Sequence, residues 1–449
     1  MTDKPDSQLI SADFVQQRQW LDSGKLSAAE LMAAQQLAIS RFNPVLNAFI
    51  CQTDVLPSQG KPLSGLTLAV KDNIDVKGLA TTAGLQVRRQ TIARQDAFVV
   101  ARLRAAGASL VGKLNMHEGA LGATNHNSHF GDCHNPHRPG FTPGGSSGGS
   151  GAAVAAGMVP VALGSDTMGS VRIPASYCGV FGFKPSRGGV SNQGTVPCGR
   201  IMDSIGPLAR SARDISLVAE KMLAFDPNCP LAVRISRSKK LPDKLVLLVP
   251  EDLTELDIAA DIIADFNYNL QVFRDMGAVI RPIALRHYGF AAARRAGLLI
   301  CESDMRLEYA AEWQQHKEQF SPYLLALLAY PERKTAIDYS SALNVLEQAT
   351  VAARQWLAHG HFMLLPTAPQ RAFSLTDTVP ANQADLTSFA NQAGLPALSI
   401  PMLSLQPLPA GMQLVGPHGS DFQLLELAEL WQQHSGFIYR LPAALRALC

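Results

Sequence analysis

Residues 143–188 read PGGSSGGSGAAVAAGMVPVALGSDTMGSVRIPASYCGVFGFKPSRG. The stretch divides into a glycine–serine loop, a helix of small residues, the apolar strand VPVALGSD and a glycine-flanked turn carrying Ser170. Loop, helix and strand in direct succession are the local pattern of an α/β sheet. Glycine and serine let the backbone approach a ligand closely and aim several N–H groups at one point. The helix that follows adds the positive end of its dipole at the same place. Ser170 lies past the strand end, where ligands bind in open α/β sheets. A Gly/Ser run alone is a common linker signature, but a linker does not abut an apolar helix and strand. The phosphate-binding pattern GxxxxGK[ST] is absent, and Ser170 does not stand in a GxSxG elbow, which disfavours it as the nucleophile of a Ser-His-Asp hydrolase.

Outward from this stretch, strands and helices keep alternating. LTLAVKD at 66–72 reads as a strand ending in charge, DAFVVARLRAAGA as a helix and SLVGKLN as a strand. Later, KLVLLVP, GAVIRPIAL, HFMLLPT and LPALSIP are strand candidates separated by helical segments at 255–276 and 340–358. Residues 8–42 have helical spacing, with Ser27 as an N-cap. The expected architecture is one α/β domain, a mixed central sheet covered by helices on both faces. A helical N-terminal arm (1–60) packs on a core of 61–449, within which 225–360 is a variable, more helical substrate side.

Composition bounds the function. A length of 449 residues suggests roughly three domains or one large one, and a folded surface of about 16,500 Å². The net charge of +2 leaves no electrostatic footprint for nucleic acid or an anionic membrane. Seven scattered cysteines without a CxxC pair point to a reducing compartment rather than a disulfide framework. MTDKPDSQLISADF has no apolar run for a signal peptide, and no apolar stretch is long enough to span a bilayer. A cytoplasmic protein is expected.

The central stretch resembles the amidase signature family, whose motif is a GGSSGGS loop followed by a GTDTGGSIRIP-like turn. KDNIDVKG at 71–78 with Thr81 and Thr82, GKLNMHEGALG at 112–122, DSIGPLARSARD at 203–214, and NQAGLPALSIP with GMQLVGP at 391–417 carry the likeness further, from about residue 25 to 435. The resemblance implies an amide hydrolase with a Ser-Ser-Lys triad: Ser170 as nucleophile, Ser146 as proton relay and Lys71 as base. It also implies a cis bond between Gly145 and Ser146, backbone N–H groups of Thr167, Met168, Gly169 and Ser170 as oxyanion donors, an acyl-enzyme intermediate, and neither metal nor cofactor.

Each implied role has a physical requirement. A serine hydroxyl becomes a useful nucleophile only when a base takes its proton. Lysine can be that base only when neutral, so burial must pull its pKa well below about 10.4. Asp72 follows Lys71 directly, and alternation along a strand turns it to the opposite side. Met168 departs from the family's usual glycine, so the turn cannot use a positive φ there, and its thioether would narrow the acyl pocket.

Other residues have bland readings beside functional ones. HNSHFGDCHNPH at 126–137 places four histidines and Cys133 together, but with irregular spacing for zinc; a polar loop near the pocket is the simpler reading. Asp166 and Arg172 flank Ser170 and orient its turn, Ser147 supports the loop, and Cys178 packs. Glu302, Arg306 and Tyr339 lie where the family builds substrate contacts, although each reads equally as a packed or solvated helix residue.

The expected activity is hydrolysis of a small carboxamide at a linear, non-peptide C–N bond. Alternatives are a hydrolase of carbamoyl-urea compounds such as allophanate or carboxybiuret, with a small accessory subunit, and the glutamine-hydrolysing component of a tRNA-dependent amidotransferase. A homodimer is the common oligomeric form of soluble enzymes.

Overall fold

A computed structural model describes residues 6–53, 58–285, 288–446 and 448–449. Eleven strands among them form one mixed sheet. In chain order they are β1 (Phe49–Gln52), β2 (Thr67–Lys71), β3 (Ser109–Leu114), β4 (Val161–Asp166), β5 (Phe181–Lys184), β6 (Ser204–Ala209), β7 (Val246–Pro250), β8 (Val279–Ile283), β9 (Phe362–Pro366), β10 (Ala397–Pro401) and β11 (Gly411–Val415). The spatial order is β1-β3-β2-β4-β6-β5-β10-β11-β9-β7-β8. A parallel trio β3-β2-β4 and a parallel trio β9-β7-β8 flank an antiparallel centre.

Alternation along the central strands explains the layers. Leu68 and Val70 of β2, with Val161 and Leu163 of β4, join a core packed under the helices Phe98–Ala105, Ala212–Met222 and Asp421–Ser435. Ala69 and Ala162 join a separate core with the helices Ala28–Leu46 and Gly148–Ala155. Period-two side chains thus feed both faces, and helices cover both. The accessible surface is 17,340 Å², near the value that the chain length implies for one folded body.

The small-residue helix Gly148–Ala155 is wholly buried. A Cβ on Gly149 would lie 2.4 Å from the Asn115 carbonyl oxygen and 2.7 Å from that of Ala48. Glycine is required there because two other backbones cross the helix at contact distance. The Gly/Ser run is a packing surface, not a linker.

One sheet takes strands from Phe49 to Val415, as one large domain requires, and of the two sizes that length allows it is the single body. Two expectations change. The segment 1–60 is not wholly helical: Phe49–Gln52 forms the edge strand β1, paired antiparallel to β3. Strands β5, β6 and β11 stand where the local pattern predicts none. SIGPLA contains Gly206 and Pro207, which read locally as a turn. A Cβ on Gly206 would meet the Phe183 carbonyl oxygen at 1.8 Å, so a neighbouring strand dictates the glycine. Ser27 does cap its helix, in a reciprocal box with Glu30.

Candidate active site

The parallel register of β2 and β4 pairs Val70 with Leu163, which brings the strand ends Lys71 and Ser165–Asp166 together at one edge. Lys71 is fully buried. Its Nζ lies 2.7 Å from Ser146 Oγ, 2.8 Å from Ser165 Oγ and 3.3 Å from the Ser165 carbonyl oxygen. Burial lowers the amine's pKa to about 7, against the opposing pull of Cys198, Asp166 and Asp203. No carboxylate forms an ion pair with it among the described residues. Asp72 faces away, paired with Lys113 at 3.2 Å and accepting from the Thr82 hydroxyl.

Ser146 follows a cis Gly145–Ser146 peptide bond and is fully buried. Its carbonyl accepts from the His117 N–H at 3.1 Å. A Cβ on Gly145 would lie 2.7 Å from Thr124 N, so the 123–125 backbone lies directly against this loop. The Ser147 N–H donates to the Ser170 carbonyl at 3.2 Å, and its hydroxyl donates to the Ser165 carbonyl at 3.0 Å. Ser147 therefore ties the two serine-bearing turns together. Ser170 is 9% exposed while Lys71 and Ser146 are closed off at 0%. Among the described residues its hydroxyl has no hydrogen-bond partner.

The turn before Ser170 is held by a buried ion pair. Arg172 donates to both carboxylate oxygens of Asp166 at 3.0 Å, to Asn391 Oδ1 at 2.6 Å and to Gln413 Oε1 at 2.8 Å. Asp166 is pulled down to about 2: burial raises its pKa, but the Arg172 guanidinium and its hydrogen bonds outweigh that. The same carboxylate accepts the N–H groups of Gly169 (2.7 Å) and Val171 (3.1 Å). This differs from four amides aimed at one oxyanion. The turn at Gly169, φ +127°, directs that amide back at Asp166. The amides of Thr167, Met168 and Ser170 have no acceptor among the described residues.

Met168 keeps an ordinary φ, and the positive φ falls on Gly169 instead. Its sulfur would lie 3.1 Å from a Cβ on Gly297, so the thioether reaches the helix Phe290–Glu308. Thr167 donates to Asp203 Oδ1 at 2.5 Å. Asn73 donates to Ser165 Oγ at 3.1 Å, and the Thr387 hydroxyl donates to the Met168 carbonyl at 2.7 Å. Sequence patterns do not single out Ser165, Asn73, Asp203, Asn391 or Thr387, although all but Thr387 stand inside quoted motifs, and that is the available signal.

The histidines of 126–137 disperse. His126 pairs with Asp132, His129 with Glu118, His137 with the Cys178 carbonyl, and His134 accepts from Gly140 N–H. Among the described residues no group of three or more His, Cys, Asp or Glu converges. Arg306 pairs with Glu332 at the surface, whereas Glu302 is buried with Oε2 unpartnered. A cavity of about 860 Å³ beside Glu251, Tyr288 and Asp385 is lined by none of the candidate residues. A second, of about 480 Å³, adjoins the Ser146 loop through His117 and Thr124. No helix among the described residues is long and apolar enough to cross a membrane.

The sequence matches the amidase family over residues 48–425. One component of the glutamyl-tRNA(Gln) amidotransferase of Thermus thermophilus is 33% identical over 91% of this chain and 94% of its own length. Among solved structures, a chain of a vestigial complex tied to the origins of an s-triazine catabolic enzyme aligns with a TM-score of 0.85 at 29% identity, covering 96% of this chain and 100% of that one. A peptide amidase from Stenotrophomonas maltophilia aligns with a TM-score of 0.83 at 26% identity, over 96% and 98%. With the lysine-and-serine loops of the motif brought to one edge of one sheet, and the match running through nearly all of it, the chain belongs to the amidase signature family of amide hydrolases.

Proposed function

We propose that the chain hydrolyses a small carboxamide at a linear C–N bond through Lys71, Ser146 and Ser170. The observation that carries the reading is the buried Lys71 amine, without an ion-pairing carboxylate, 2.7 Å from Ser146 Oγ. A neutral amine has two N–H donors and one lone pair. With its hydrogens on the Ser165 hydroxyl and carbonyl, the lone pair is left for the Ser146 proton. Ser170 Oγ attacks the amide carbon while its proton passes to Ser146 and the Ser146 proton to Lys71. The free amides of Met168 and Ser170, with Thr167, hold the oxyanion, each such donor being worth about 3 kcal/mol in a transition state. The ammonium returns its proton through Ser146 to the leaving nitrogen, the C–N bond breaks, and ammonia or an amine departs. Water, deprotonated along the same relay, hydrolyses the Ser170 ester to a carboxylic acid. Gly145 and Gly169 serve by letting the two turns approach.

A fluorophosphonate that labels Ser170 in the native protein, together with ammonia release that Ser170→Ala and Lys71→Ala lower by at least about a thousandfold, is the expected result. Undiminished turnover in either variant sinks the mechanism. We read the enzyme as cytoplasmic from the seven cysteines scattered without a CxxC pair. A second reading, the glutamine-hydrolysing component of an amidotransferase, is favoured by the name of the Thermus thermophilus relative. It requires activity with glutamine that rises when partner proteins are added; a small accessory subunit would instead suit the carbamoyl-urea reading.

A further inference from the structure

The cavity of about 480 Å³ rests on the segment 117–124, which itself lies against the Ser146 loop. The contacts are continuous. His117 N–H binds the Ser146 carbonyl, Thr142 Oγ1 donates to the Thr124 carbonyl at 2.7 Å, and Ser147 N–H binds the Ser170 carbonyl. The cavity walls are Pro322, Tyr323, Phe373, Leu375 and Val379. Tyr323 meets the His117 ring edge-on at 5.7 Å. A volume of this order suits a small organic group.

Glu118 is the one carboxylate among the residues that line the cavity. No lysine or arginine lines it. His117 is buried and its pKa is lowered to about 3, first by burial and then by neighbouring positive charge, so it stays neutral. His126, at the rim, is already paired with Asp132 at 2.8 Å. Glu118 lines the cavity, with Oε1 accepting from Ser321 N–H at 3.1 Å and facing His129 at 3.1 Å. Burial raises the Tyr323 phenol, with a smaller push from Glu302, whose own carboxyl is raised to about 7 by burial and whose Oε2 has no partner. A carboxylate entering here would lose its hydration, find no lysine or arginine in the lining and face Glu118.

We propose, resting on the hydrolase reading above, that this cavity receives the acyl group of the amide, and that it takes uncharged apolar or aromatic acyl groups and excludes those bearing a carboxylate. Phenylacetamide and hexanamide are then substrates, while succinamate and glutamine are poor ones.

The test compares kcat/KM for these four amides and for acetamide, which has the smallest acyl group of the five, with fluorophosphonate labelling of Ser170 run in parallel. Phenylacetamide is expected to exceed succinamate and glutamine by at least about tenfold. Leu375 sits half-buried at the rim, so Leu375→Arg is compatible with folding. It is expected to lower phenylacetamide turnover by about tenfold more than acetamide turnover and to narrow the gap to succinamate. Labelled Ser170 with succinamate or glutamine preferred over phenylacetamide overturns the acyl-group assignment alone. An equal effect of Leu375→Arg on acetamide and phenylacetamide does the same. No labelling and no ammonia from any amide overturns the hydrolase reading, and this inference with it.

Discussion

Lys71 and Asp166 lie at neighbouring strand ends, and one environment drives the lysine toward its neutral form and the aspartate toward its charged form. Burial strips both of water, but only Asp166 has a countercharge, the bidentate Arg172. Lys71 therefore drops to about 7 and Asp166 to about 2. If neutral Lys71 is the base, acylation of Ser170 rises with pH through about 7. The rate of fluorophosphonate labelling against pH checks this, and a profile flat from pH 6 to about 9 would exclude Lys71 as the base. For Asp166 the sign is that of a depressed acid. Folding lowers it from 3.8 to about 2, so its stabilisation is present above pH 3.8 and lost as pH falls through about 2. Asp166→Asn leaves Arg172 buried without a charge partner and is expected to cost about 3–5 kcal/mol in denaturant unfolding at neutral pH. A cost under about 1 kcal/mol would mean that Asn391 and Gln413 suffice to hold the guanidinium.

At the scale of elements, two helices meet the site with different tolerances. In Phe290–Glu308, Gly297, Cys301 and Met305 stand four residues apart on one face and meet Met168, Gly199 and Gly119 in turn. Those neighbours include flexible thioethers, so this helix can adjust to substitution. Gly148–Ala155 cannot, because Gly149 meets main-chain oxygens. Gly149→Ala raises helix propensity by about 1 kcal/mol, yet it is expected to destabilise by about 1–3 kcal/mol net and to slow Ser170 labelling by displacing the Ser146 loop. A melting temperature at or above the parent's would count against close packing as the reason for this glycine. The element alternation was legible from sequence for β2, β3, β4, β7, β8, β9 and β10, whose apolar runs are bounded by breakers. It was not legible for β6, where Gly206 and Pro207 serve a neighbour's approach rather than a turn.

Across the whole molecule, the N-terminal segment is part of the core. Phe14 is fully buried in the main apolar cluster with Val218 and Phe181. Asp214 accepts the N–H groups of Phe14 and Val15 at 2.7 and 3.0 Å, holding the start of the helix Phe14–Asp22 across 200 residues of chain. Arg213 adds an ion pair to Asp13 at 2.6 Å. Phe14→Ala is expected to cost about 3–5 kcal/mol, read as a lowered denaturant midpoint with unchanged slope, whereas an arm that merely lay on the surface would cost under about 0.5 kcal/mol. The single sheet gathers Lys71, the turns carrying Ser146 and Ser170, and Asn391 at one edge.

Sequence alone determined the alternating α/β class, the family resemblance, the three candidate catalytic positions and the opposite facing of Asp72, because these follow from local periodicity and from motifs quoted whole. Tertiary structure decided what depends on which surfaces meet. It took the amide of Gly169 for Asp166, placed the positive φ beside Met168 rather than on it, made β1 an edge of the sheet, scattered the clustered histidines, and left a largely apolar cavity with Glu118 in its lining beside the Ser146 loop. Burial and hydrogen-bond partners are properties of packed neighbours hundreds of residues apart, and the order of residues along the chain does not specify them.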